Sequence, residues 1–265
     1  MKNNYNETFL KLWKKYITLC PSALKIHDLL SKNSVIPNDH IAFRTFNDPR
    51  VDKRVLASHF ENLGYTIEGD YYFEEKKLNA IHMEHSDPEA PKVFISELII
   101  SEFSSGLQDL VKKLIEEIPI TMYGNPQLIF QGRLWETPTY SVYEKLREES
   151  EYAAWMYIYG FCANHFTILV NHLDGFDGLN ELNEYLVQND FKMNFSGGII
   201  KGGPNVWLEQ SSIMADSIDV RFKEKIYTVP GCYYEFAYRY EKDGALFNGF
   251  VTQSANKIFE STDKK

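Results

Sequence analysis

One order of strand-like and helix-like segments occurs twice along this chain, and the repeat constrains its fold more than any other feature. An extended run at 40–46 leads into a helical run at 50–63 that stops at Gly64. Strand-like segments at 71–73 and 77–85 follow, and the unit closes on the apolar run 92–100. A second extended run, 164–171, leads into a helical segment at 179–188. Strand-like runs near 191–195, 206–212 and 219–222 follow, and this unit closes on 231–240. Each half opens with an acid or amide before a histidine (Asp39-His40, Asn164-His165) and ends on a strand with a central glutamate (Glu97, Glu235). The His-to-Glu separations are 97 − 40 = 57 and 235 − 165 = 70 residues, a difference that loops absorb. Identity between the halves is thin, so the duplication rests on order and on these matched positions. The expected fold is α+β: two βαβββ modules forming a β-barrel or half-barrel with peripheral helices. The expected division is a single catalytic domain over 1–265. It comprises a helical segment at 1–36, modules at 37–102 and 161–241, a helical insertion at 103–160 and a tail at 242–265.

Charge narrows the function. Thirty-seven acidic against 28 basic residues leave −9, with no long Lys/Arg stripe, which argues against a nucleic-acid binder. The N-terminal segment carries Phe9, Leu12, Trp13, Tyr16 and Ile17 at helical spacing, interrupted by Lys11, Lys14 and Lys15. It therefore predicts an amphipathic helix and not a signal peptide. No stretch reaches the length of a membrane span, and no membrane partner is expected. Cys20, Cys162 and Cys232 are far apart, odd in number and without C-x-x-C spacing. They predict buried small hydrophobes in a reducing, cytoplasmic compartment.

Side chains alternate faces along a strand. His40, Ala42 and Arg44 share one face, as do His165, Thr167 and Leu169, and as do Tyr233, Glu235, Ala237 and Arg239. A lone histidine in a strand is more often a core group held by a carboxylate or backbone partner. Two histidines and a glutamate brought from separate strands into one cavity would instead form a two-histidine, one-carboxylate set. That set leaves three open positions and suits non-haem Fe(II), while His₂Glu also holds zinc. Arg44 lies about 13 Å along the strand from His40. It either grips the far carboxylate of a metal-bound acid or forms a structural salt bridge.

The blocks Asp39-His-Ile-Ala-Phe-Arg-Thr-Phe46, Val93-Phe-Ile-Ser-Glu-Leu98, Ser150-Glu-Tyr-Ala-Ala-Trp155, Asn164-His-Phe-Thr167, Gln210-Ser-Ser-Ile-Met-Ala-Asp-Ser217 and Val229-Pro-Gly-Cys-Tyr-Tyr-Glu-Phe-Ala237 stand in order along the chain. Together they resemble the 2-oxoadipate dioxygenase/decarboxylase family. The resemblance implies a glyoxalase-like (vicinal-oxygen-chelate) fold, close in plan to hydroxymandelate synthase. It implies Fe(II)- and O₂-dependent conversion of 2-oxoadipate to 2-hydroxyglutarate with loss of CO₂. The family's metal ligands fall on His40, His165 and Glu235, and its substrate-carboxylate arginine on Arg44. Longer members carry more chain after the metal glutamate, whereas 30 residues follow Glu235, so a different pocket wall is expected.

Other residues stand beside this set. Glu97 is the counterpart of Glu235. In a symmetric four-ligand site it would bind Zn or Ni for an isomerisation, but it is expected to be a buried hydrogen-bonding or second-layer group. His82 and His85 point to opposite faces of one strand, leaving His82 as a weaker contact to the site. His172 is expected at a surface turn, and His27 and His59 on solvated helix faces. Gln210-Ser211-Ser212 is a candidate pocket lining, and Gln131-Gly-Arg133 a candidate lid. Two further classes remain: a Zn-, Mn- or Ni-dependent lyase, isomerase or hydrolase, and a non-catalytic ligand-sequestering module.

Overall fold

The protein is seen in a computed structural model that describes residues 5–31 and 36–262. Its principal elements in chain order are α1 (Tyr5–Leu19), α2 (Pro21–Leu30), β1 (Asn38–Phe46), α3 (Lys53–Glu61), β2 (Tyr65–Phe73), β3 (Leu78–His85) and β4 (Lys92–Leu98). Next come α4 (Ser105–Glu116), α5 (Tyr140–Glu149), α6 (Glu151–Tyr159), β5 (Ala163–Leu169) and α7 (Leu179–Gln188). The last are β6 (Lys201–Gly203), β7 (Leu208–Ser212), β8 (Ser217–Arg221), β9 (Ile226–Pro230), β10 (Tyr233–Arg239) and α8 (Thr252–Phe259). Among the described residues no helix is long and apolar enough to cross a membrane. The fold is α+β, and strand, helix, three strands recurs as β1-α3-β2-β3-β4 and β5-α7-β6-β7-β10.

Two compact units divide the contacts. The first holds residues 1–15, 42–164 and 217–229. Its strands run β2-β3-β4-β1, so the closing strand of the module lies beside its opening strand. Asp52 starts α3 by accepting from the backbone N–H groups of Arg54 and Val55, and Gly64 (φ +95°) lets the chain turn out of it. Leu56, Ala57 and Phe60 of α3 are buried, and Phe60 packs against Phe9, Phe43 and Tyr65. The last part of the helical insertion expected at 103–160 is two helices, α5 and α6. Ser150 is extended (φ −152°, ψ 104°), ends α5 and caps α6 by accepting from the Ala153 N–H. Residues 152–159 of α6 are all buried, which its uniformly apolar sequence requires.

The second unit holds residues 16–41, 165–216 and 230–265, and its strands run β5-β10-β7-β6. β5 and β10 pair in parallel, while β10–β7 and β7–β6 are antiparallel. Leu179, Leu182 and Leu186 form the buried face of α7. Tyr16, Phe166 and Tyr234 pack together, and the Tyr16 hydroxyl donates to the Tyr233 carbonyl at 2.5 Å.

Three strand expectations are corrected. The run at 191–195 makes only one bridge, Met193 to Ile213. The strand that follows α7 in this module is instead β6, inside the glycine-rich stretch 197–203, where no strand was expected. Gly202 (φ +87°) and Gly203 (φ +157°) take positive φ there, which hides the strand from β propensity. The run at 219–222 belongs to β8, which pairs with β9 as a separate hairpin in the first unit. The tail expected at 242–265 holds a 3₁₀ turn at Glu260–Thr262 with Ser261 and Thr262 buried. Residues 263–265 lie outside the described residues. None of the three cysteines is in a disulfide, and all three are buried.

Candidate metal centre

Strand order delivers the second unit's ligands. Parallel pairing sets Tyr233 opposite His165 and Glu235 opposite Thr167, so all four side chains share one face. The first residues of β1 bring His40 to the same place. Ligand atoms of His40, His165 and Glu235 lie within 4.8 Å of one another, and all three residues are buried. Separations are 3.4 Å between the two Nε2 atoms, 3.2 Å from His165 Nε2 to Glu235 Oε2 and 3.8 Å from His40 Nε2 to Glu235 Oε1.

The surroundings fix how these groups present themselves. His40 Nδ1 lies 2.7 Å from Asp39 Oδ2, an arrangement that keeps the proton on Nδ1 and turns the Nε2 lone pair inward. Burial would raise the Asp39 carboxyl, but Arg239 and His40 hold it well below the usual carboxylate range. Glu235 is 1% exposed, and burial pushes its carboxyl up to about 7 against the pull of His40 and of the Gln210 amide, which donates at 2.6 Å. A carboxylate this deep is costly to ionise without a cation. Two imidazole nitrogens and a carboxylate converging on one point therefore fit a divalent transition metal. His165 stacks on Tyr233 at 4.7 Å, and Phe250 meets His40 edge-on at 4.9 Å.

Arg44 lies in the first unit, on the later part of β1, and is 2% exposed. Its guanidinium sits between the rings of Tyr152 (4.8 Å) and Trp155 (5.1 Å), with Glu151 Oε1 at 3.6 Å from Nη1. Nε and Nη1 have no hydrogen-bond partner. A buried guanidinium with two open donors is an anion-binding group in its chemistry. Tyr152 is itself pinned, its hydroxyl donating to the Ser96 carbonyl and accepting from the Thr45 N–H.

The remaining candidates resolve individually. Glu97 is held by Lys53, from Nζ at 2.8 Å and from the backbone N–H at 3.0 Å. His82 is buried between the Tyr71 hydroxyl (2.8 Å) and Glu84 (3.0 Å). Ser211 is a correction: it pairs with Phe236, so it faces away from Glu235, and its hydroxyl donates to Asn183 of α7 at 2.8 Å. Its neighbour Gln210 faces the ligands. The expected lid at 131–133 is tied down, with Gly132 bridging to Phe161 and Arg133 donating to the Ile158 carbonyl. His59 is buried and not solvated. It contacts Thr8 and Phe130, and burial lowers it to about 4. His172 is exposed on a 3₁₀ turn. Asp39, Thr167, Arg239 and Phe250 had no assigned role in the sequence. For Thr167 and Arg239, the face-sharing rule was the available signal.

An α+β fold with duplicated modules and a buried His₂Glu set defines a metal-competent chain of the glyoxalase-like class. A glyoxalase-superfamily protein from Ralstonia eutropha shares the fold, at TM-score 0.69 and 20% identity over 90% of this chain and 83% of that one. The sequence profile of the 2-oxoadipate dioxygenase/decarboxylase family matches residues 8–123 and 127–241, and the chain belongs to that family. The chloroplastic 2-oxoadipate dioxygenase/decarboxylase of Arabidopsis thaliana is 36% identical over 250 residues, covering 84% of this chain and 67% of that protein. The Oryza sativa hydroxyglutarate synthase, solved in complex with 2-oxoadipate, superposes at TM-score 0.91 with 32% identity, covering 98% of this chain and 93% of that one. A putative hydrolase from Shewanella frigidimarina superposes at TM-score 0.90 with 47% identity, covering 95% and 99%.

Proposed function

We propose that this chain is an Fe(II)-dependent dioxygenase that converts 2-oxoadipate and O₂ to 2-hydroxyglutarate and CO₂. The carrying observation is the convergence of His40, His165 and Glu235 at one buried point. Family membership and the likeness to a hydroxyglutarate synthase that binds 2-oxoadipate support the substrate. Bound iron supplies open coordination positions for a 2-oxo acid and O₂ and the electrons that begin decarboxylation.

The chain's own groups do the rest. His40 and His165 offer their Nε2 atoms, and Asp39 holds the first ring with Nε2 turned to the site. Glu235 supplies the negative ligand, and Gln210 orients its carboxylate from one side. Tyr233 and Phe250 are apolar walls beside the two histidines that limit water at the ligands. Arg44 is the group for a substrate carboxylate, with two open donors and two aromatic faces that fix its plane. Glu151, on the same guanidinium, is displaced or shared when a carboxylate arrives. Three buried cysteines outside any disulfide suit a reducing compartment, and the cytoplasm is the location this reading assigns.

The test is anaerobic loading with Fe(II) and 2-oxoadipate followed by admission of O₂. One O₂ should disappear for each CO₂ released and each 2-hydroxyglutarate formed. No O₂ uptake with any 2-oxo acid, or turnover with zinc alone, contradicts the proposal.

A further inference from the structure

Beyond the ligands, Arg239 of the second unit is bonded at every guanidinium nitrogen. It lies four residues after Glu235 on β10 and is 2% exposed. Its guanidinium grips Asp39 through two bonds, Nε to Oδ1 at 2.6 Å and Nη2 to Oδ2 at 2.9 Å. Nη1 donates to two backbone carbonyls, Phe247 at 2.7 Å and Gly249 at 2.9 Å. Asn171 clamps the Arg239 backbone, its Oδ1 accepting from the N–H and its Nδ2 donating to the carbonyl, both at 2.8 Å. Asp39 in turn holds His40 Nδ1. Phe250 closes the loop, edge-on to His40 at 4.9 Å and 5.3 Å from the guanidinium carbon.

An unbroken chain of contacts therefore runs from the backbone at 247–249 through Arg239 and Asp39 to a ligand ring. Residues 247–250 lie beyond the stretch that the family profile covers. A buried Arg–Asp pair alone is weak evidence for anything but structure. This pair differs because its carboxylate has a second partner, and that partner is a ligand imidazole. The bidentate fork fixes the plane of Asp39, and Asp39 fixes the tautomer and rotation of the ring.

We propose that residues 247–250 are a working part of the metal centre, acting through the positioning residues Arg239 and Asp39 to hold His40 ready to ligate. The inference rests on the metal-site reading above, and two readouts separate their fates. Ring ¹⁵N–¹H NMR of the metal-free full-length protein reads the His40 tautomer. Calorimetric titration with Co(II) reads ion binding.

In the wild type, His40 carries its proton on Nδ1 and one Co(II) binds. Asp39→Asn, whose single carbonyl oxygen cannot accept from both arms of the Arg239 fork while also holding His40, shifts the tautomer and weakens Co(II) binding by about 10- to 100-fold. Arg239→Met does the same. Arg239→Lys keeps the charge without the fork and falls between, and Phe250→Ala weakens binding less than Asp39→Asn. If Asp39→Asn and the Arg239 variants fold normally yet bind Co(II) within about twofold of wild type, the proposal is overturned. If Asp39→Asn alone weakens binding while Arg239→Lys and Phe250→Ala leave it unchanged, the role of 247–250 is overturned. Should Arg239→Met fail to fold, Arg239→Lys and Phe250→Ala decide the matter. A wild type that binds no Co(II) refutes the metal reading instead, and the tautomer measurement still decides whether Asp39 and Arg239 set the ring.

Discussion

Glu97 and Glu235 are the acids of the closing strands in two modules of the same element order, and their fates differ. Each is the one acid of a closing strand, late in β4 for Glu97 and early in β10 for Glu235, and in each module that strand lies beside the opening one. Glu97 meets Lys53 at the start of α3, which supplies an ammonium at 2.8 Å and a backbone N–H at 3.0 Å. Glu235 meets two histidines and a glutamine amide. One carboxylate is satisfied by the fold; the other is raised by burial to about 7 and calls for a cation. The histidines divide in the same way. His59, His82 and His85 of the first unit are taken up by Thr8, Tyr71 and the Asp87 N–H, while His40 and His165 of the second converge with the acid. Duplication supplied two similar frames, and the partner each acid meets decides which can ligate.

The sharpest way to break this contrast is at the acids themselves. Glu235→Gln should weaken metal binding by at least about a hundredfold and abolish turnover, read by Co(II) titration and O₂ uptake. Retained affinity would remove Glu235 from the ligand set. Arg44→Met should raise KM for 2-oxoadipate by roughly 10- to 100-fold, the worth of a charged hydrogen-bonded pair, with a smaller effect on a 2-oxo monoacid. Equal effects on both substrates would make Arg44 a structural group. Glu97→Gln should leave Co(II) affinity within about threefold of wild type while costing about 1–3 kcal/mol of stability by denaturant melt, because Lys53 loses its partner. A large loss of metal affinity there would erase the contrast between the two acids.

The smallest effect concerns His59, whose imidazole burial holds at about 4 against an ordinary 6.5. Below pH 6.5 the unfolded chain takes up a proton that the folded chain refuses until about pH 4, so this group's share of stability falls as pH drops through that window. His59→Gln should flatten the slope of unfolding free energy between those values. An unchanged slope would mean that the ring is not buried neutral.

Much of the site was legible because strand alternation is a strict rule. It placed His165, Thr167, Tyr233 and Glu235 on one face, where the parallel register of β5 and β10 puts them. The same rule set Arg239 on that face, but nothing local says that it would meet Asp39, 200 residues away. Ser211 was drawn in as part of a polar run, although alternation turns it away while keeping Gln210 in. Elements that depend on glycine conformation or tertiary cover were harder to read. β6 is built through Gly202 and Gly203, and His59 has the polarity of a solvated residue until α1 and Phe130 bury it. Phe250 joins the centre by tertiary packing from a segment with no periodic pattern, so no sequence signal announced it.

The central claim is that the ion binds at the second module's acid and not at the first's. Anomalous diffraction at the iron edge from crystals loaded anaerobically with Fe(II) addresses it directly. The account predicts one peak about 2.0–2.2 Å from His40 Nε2, His165 Nε2 and a carboxylate oxygen of Glu235. A peak beside Glu97, or none at the three ligands in fully loaded protein, would contradict it.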